Sequence, residues 1–196
     1  MSTTTPAPAP GSHYADPGPL GLAAFALTTF ILSCANTGHL KTEAVVFGLA
    51  LFYGGIAQVL AGMWEFAKGN TFGATAFTSY GAFWLSFWYL TNHTELAGPG
   101  NSVDHAIGMW LLAWMIFTAY MFIASLRTNG ALVSVFAVLT VTFLFLALGD
   151  LGGKESLTHV GGWLGIVTAV LAWYTSFAGV TKSTFGRDVL PTVPLN

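Results

Sequence analysis

The sequence predicts an all-α, polytopic membrane protein with six transmembrane helices, and three observations predict it. Only 7% of its residues are Asp, Glu, Lys or Arg, against about 25% in a soluble domain, too few to keep a folded surface in water. The mean hydropathy is +0.67, which excludes a disordered or merely polar chain. Six basic and eight acidic residues divide the chain so that six long uncharged windows remain between them. Each window exceeds the roughly 18 to 20 residues that cross a hydrocarbon layer at about 1.5 Å per residue. Continuous apolar runs of this length also exclude a transmembrane β-barrel, whose strands are short and alternate.

The first helix is expected over residues 20–37, where Phe25, Thr29, Ser33 and Asn36 share one face. An aromatic ring beside hydrogen-bonding groups suits a narrow path for a small, partly apolar molecule. The second helix, 44–66, carries Gly48, Gly55 and Gly62 at intervals of seven, with Gln58 on the same side and Glu65 one turn beyond Gly62. Small residues at that spacing let helices approach closely in lipid, so the stripe reads first as a packing face. Gln58 is harder to dismiss, because an amide in hydrocarbon needs a partner or a wet cavity. The third helix, 72–91, shows a weakly polar stripe of Thr75, Thr78, Ala82 and Ser86 that begins just ahead of it at Thr71. Hydroxyls can be satisfied by their own helix, and that stripe also reads as packing. The remaining uncharged windows place helices at 106–126, 131–149 and 158–181.

Around these spans the domain organisation is simple. Residues 1–15, rich in Thr, Pro, Ala and Gly, read as a flexible tail and lack the basic start and apolar core of a secretory signal. Residues 16–181 form the transmembrane domain, and 182–196 a C-terminal tail. Lys68, Arg127, Lys182 and Arg187 fall on one side, Lys41 and Lys154 on the other. Basic residues favour the cytoplasm, so both termini are expected inside the cell membrane, with the long Asn92 to His105 connection outside.

Several classes are disfavoured. The near-neutral charge of −2 and dispersed basic residues offer no footprint for nucleic acid. Cys34 is the only cysteine and reads as a small buried residue, so no disulfide or thiolate metal cluster forms within the chain. No span has a charged residue near its centre, which leaves no carboxylate relay and no lysine for a retinal Schiff base. His39, His93, His105 and His159 lie at helix ends and form no convincing facing pair for haem. No nucleophile stands with a base, so neither an enzyme nor a cofactor is expected.

Two blocks carry a family resemblance. Asp16-Pro17-Gly18-Pro19-Leu20-Gly21-Leu22 resembles the Asn-Pro-Ala-Pro-Leu-Gly-Leu signature of the acetate uptake transporter family, with Asp16 for the signature asparagine and Gly18 for its alanine. The stretch from Phe52-Tyr53-Gly54-Gly55 through Gln58, Glu65 and Lys68-Gly69-Asn70-Thr71 to Thr78-Ser79-Tyr80-Gly81 looks like that family's core sequence. Gly162-Trp163 and Phe185-Gly186-Arg187 extend the likeness toward Pro191.

The resemblance implies a six-helix protomer that assembles into a homohexamer in the lipid bilayer. Each protomer would hold its own path for acetate and, less readily, succinate, narrowed by a hydrophobic constriction corresponding to Phe25, Tyr80 and Leu139. Pro17, Pro19, Leu20, Gly21, Thr29, Asn36, Gln58, Glu65, Asn70 and Thr71 are the expected substrate-binding or pore-lining residues. Conduction or proton coupling are both open, since a proton can travel on the substrate. Two competing readings remain: a channel for a neutral solute such as ammonia, urea or water, and a non-transporting membrane subunit or sensor.

Overall fold

A computed structural model describes residues 14–42, 44–93 and 103–195. Most of the expected tail, and the Gly-Pro-Gly centre of the long connection, lie outside the described residues. The described residues form six helical rods: α1 (Gly18–Asn36), α2 (Ala44–Lys68), α3 (Thr71–Asn92), α4 (Val103–Ser125), α5 (Gly130–Gly152) and α6 (Glu155–Phe185). Five are long and apolar enough to cross a membrane; α3 is not among them. Its 22 residues reach far enough, about 33 Å, but its threonines, serines and glycines dilute its hydropathy. The all-α, multi-pass architecture is therefore the one the uncharged windows predict.

The ends differ in instructive ways. α1 starts at Gly18, earlier than expected, because Pro19 in its first turn has a preset φ and no amide to leave unpaired. α6 runs beyond both expected limits, to 31 residues, taking in Glu155 in its first turn and Lys182 in its last. Each charge sits at the helix end whose dipole it complements, so a charged residue marks a helix terminus and not a loop. Gly69 closes α2 at φ +76°, a left-handed conformation that glycine adopts without strain. Asn70 then caps α3, its side chain accepting from the Gly73 amide at 3.1 Å.

α2 corrects the expected heptad of glycines. Phe52–Ala57 form a π-helical turn within the rod, which widens the spiral and rotates everything after it. A Cβ on Gly62 would sit 2.6 Å from the Thr78 backbone nitrogen of α3, and one on Gly55 would strike Leu85 at the same distance. Gly48, before the π turn, has nothing within 4 Å of such a Cβ and is exposed. Of the three glycines, Gly55 and Gly62 lie on the packing face and Gly48 does not. Gly62→Ala is expected to destabilise by about 2 kcal/mol, since the clash is with backbone. Gly48→Ala should be neutral or slightly stabilising, and thermal unfolding of the two purified variants checks the contrast.

α1 packs most extensively on α6, α6 on α5, α5 on α4, and α2 on α3. Beyond Gly186 the chain turns back across the end of the bundle where α1 begins and α6 finishes. Tyr174 Oη donates to the Pro191 carbonyl at 2.7 Å, and the Gly130 amide to the Val193 carbonyl at 2.8 Å. The C-terminal segment is therefore fastened to that end of the bundle.

Candidate functional site

Two cavities enter the bundle from opposite ends. The near one, at the end carrying both termini, is about 260 Å³ and takes its rim from Asp16, Asn70, Asn129 and Lys182. The far one, about 230 Å³, opens among Asn36, Thr91, Asp104, Asp150 and Thr158. Phe25 and Leu139 line both cavities, and Tyr80 lines the near one. At 5%, 3% and 3% exposed, these three side chains form the partition between the two spaces.

Packing fixes the partition. The Phe25 and Tyr80 ring centres are 5.5 Å apart, and Tyr80 also leans on Phe117 at 5.4 Å and Phe136 at 6.2 Å. Thr118 Oγ1 gives its hydrogen to the Trp114 carbonyl at 2.8 Å, so the Tyr80 hydroxyl 3.0 Å away is the donor to Thr118. With ring and hydroxyl both engaged, Tyr80 holds one rotamer. Tyr80 lies away from the threonine stripe of its own helix, whose Thr78 packs on Gly62 of α2.

The lining residues of each cavity include a buried polar atom with no hydrogen-bond partner: Gln58 Oε1 for the near one, Thr29 Oγ1 and Trp84 Nε1 for the far one. Leaving such a group unpaired costs about 1–3 kcal/mol, and since each atom is almost closed to solvent, a ligand in the cavity pairs with it once the side chain turns toward that space. Gln58 is 1% exposed and immediately follows the π turn, the irregularity that aims it inward. Near the rim, Asn70 Nδ2 donates to Glu65 Oε2 at 2.8 Å, so one side chain caps α3 and ties down the buried carboxyl of α2. Ser176 Oγ of α6 donates to the Pro19 carbonyl at 2.6 Å and seats the start of α1 against the cavity. Because the rods alternate in direction, α1, α3 and α5 all present their N-terminal ends there, through Pro19, Asn70 and Asn129. Their dipoles favour an anion.

Of the residues expected to line a path, Pro19, Gln58, Glu65 and Asn70 reach the near cavity, and Thr29 and Asn36 the far one. Pro17, Leu20, Gly21 and Thr71 line neither. Leu20, 45% exposed, follows Pro19 by one residue and is turned about 100° from it. Gly21 is occupied by packing, since a Cβ there would be 2.6 Å from the Phe77 ring. Thr71 opens α3 on its exposed side. Sequence reasoning missed Trp84, and the Val135 and Phe136 wall of α5. Nothing marks a face on α5, where residues 131–149 are apolar nearly all round.

A family model described as the GPR1/FUN34/yaaH family matches residues 1–196. The chain is 40% identical over 177 residues to the succinate-acetate/proton symporter SatP of Escherichia coli, covering 90% of this chain and 94% of that one. It is also 40% identical over 184 residues to ammonia transport outward protein 2 of Saccharomyces cerevisiae, covering 89% of this chain and 64% of that one. The solved structure of the bacterial acetate channel SatP superposes with a TM-score of 0.87 at 40% identity, over 91% of this chain and 99% of that one. With its whole length matched and its six-rod bundle shared, the chain belongs to the GPR1/FUN34/yaaH family.

Proposed function

We propose that the protein carries acetate and related small monocarboxylates across a membrane, succinate less readily, through the two cavities and the Phe25, Tyr80 and Leu139 partition between them. The carrying observation is that partition, with an unpartnered polar atom on either side of it. A carboxylate drawn to the three helix starts meets Gln58, whose amide accepts from a protonated acid or, turned over, donates to a carboxylate. The methyl group passes the rings, and Thr29 and Trp84 donate on the far side. The partition holds no ionisable carboxyl, which supports passive conduction or a proton carried on the substrate. The solved SatP channel and the E. coli symporter support the substrate class.

The basic residues Lys68, Arg127, Lys182 and Arg187 at the end carrying the termini support cytoplasmic termini in the plasma membrane. Exposed apolar side chains such as Phe52, Trp64, Ile116 and Ile123 suit lipid or the neighbours of a homohexamer. The second reading, a path for a neutral solute, is favoured by the ammonia transport relative. Competition separates the two. Propionate or formate should reduce labelled acetate uptake at concentrations where urea does nothing; indifference to both carboxylates would transfer the assignment to the neutral solute.

A further inference from the structure

The near rim carries two lysines, and each is covered by an aspartate. Lys68 Nζ is 2.8 Å from Asp16 Oδ1, and Lys182 Nζ is 2.8 Å from Asp188 Oδ1. Asp16, Lys182 and Asp188 all line the near cavity, and Lys68 stands behind Asp16. Neither aspartate is adrift. Asp16 Oδ1 also accepts from the Gly18 amide at 3.2 Å, and Asp188 belongs to the segment pinned by Tyr174 and Gly130. Solvent-facing pairs of this kind typically contribute about 0–1 kcal/mol, so stability alone does not account for their placement at the rim. Asp16 also stands where the family signature has a neutral asparagine, so this chain adds the charge that cancels Lys68.

Resting on the transport reading, we infer that the Asp16–Lys68 and Lys182–Asp188 pairs are specificity determinants that let monoanions into the path and discriminate against dianions. The electrostatic energy of an ion at the rim is its charge multiplied by the local potential. With its cations covered, the rim attracts anions only through the three helix starts, and a dianion gains too little there to offset the second carboxylate it must desolvate. Uncovering the lysines raises the potential, and a factor gained by a monoanion is squared for a dianion. The geometry thus assigns Asp16 and Asp188 to positioning the field and not to touching substrate.

The test reads capture at the rim through block of labelled acetate uptake into liposomes, at pH about 8 where both carboxyls of succinate are ionised. The Asp16→Asn, Asp188→Asn double variant should lower the half-blocking concentration of propionate about threefold and of succinate about tenfold at low salt. The surplus should vanish near 1 M salt, where the screening length is about 3 Å. Asp16→Asn with Lys68→Gln, which restores the net charge, should show the native ratio. Asp188→Asn alone carries the test if changes at Asp16 prevent folding. Native acetate uptake with a succinate to propionate ratio unmoved in every variant overturns the inference alone, as does an equal shift in the charge-restored variant. Absence of acetate uptake by the native protein overturns the transport reading and this inference with it.

Discussion

Replacing Phe25 with alanine should raise acetate flux about tenfold and admit bulkier monocarboxylates such as benzoate, because it removes the ring that belongs to both cavities. Tenfold corresponds to about 1.4 kcal/mol off the barrier to passage. The variant should also lose about 3 kcal/mol of stability, since a buried phenyl leaves a cavity that its neighbours refill only in part. Tyr80, the closest ring, is held by its own contacts and cannot follow into the space. Tyr80→Phe is the informative companion. It keeps the ring and gives up one hydrogen bond to Thr118, so about 1 kcal/mol of stability should go while selectivity by size stays. Uptake of a series of labelled monocarboxylates, beside thermal unfolding of each variant, checks both. A Phe25→Ala protein that is folded and transports with native rate and native size limit would remove the partition from the account.

Gln58→Leu should do the reverse: acetate transport falls about tenfold while stability stays level or rises by about 1 kcal/mol. Leucine has nearly the volume of glutamine, and it removes a buried oxygen that has no partner in the folded protein. A residue kept for packing would show the opposite pair of effects. Loss of function with gain of stability marks a group held in an unfavourable setting for the ligand's sake. Unfolding midpoints and initial uptake rates on the same preparations give the answer. Lowered stability with native uptake would return Gln58 to the packing face of α2.

The spans were legible because charge is so expensive in lipid that its absence outlines each helix. Termini were less so, since Glu155 and Lys182 belong to the ends of α6 and not to loops. The candidate site was legible where a polar or aromatic residue interrupts an apolar helix, as with Phe25, Thr29 and Gln58. It was illegible on α5, where Val135, Phe136 and Leu139 differ in no visible way from their neighbours. Leu139 was reached only through family likeness. The π turn escaped because a regular helical projection assumes a constant rotation per residue, and Gly54-Gly55 is the one local hint of it. Trp84 escaped for another reason. Its indole N–H matters through having no partner, which is a property of the fold and not of the residue. The folding back of the tail over the near cavity depends on Tyr174 meeting Pro191, a contact across 17 residues that no periodicity announces.

The most direct test of the central claim is uptake of labelled acetate into liposomes containing the purified protein, with and without an inward proton gradient, against protein-free liposomes that report leakage of the neutral acid. Uptake above leakage in both conditions is expected for a channel, and accumulation driven by the gradient for a symporter. Uptake equal to that of protein-free liposomes in both conditions would contradict that claim.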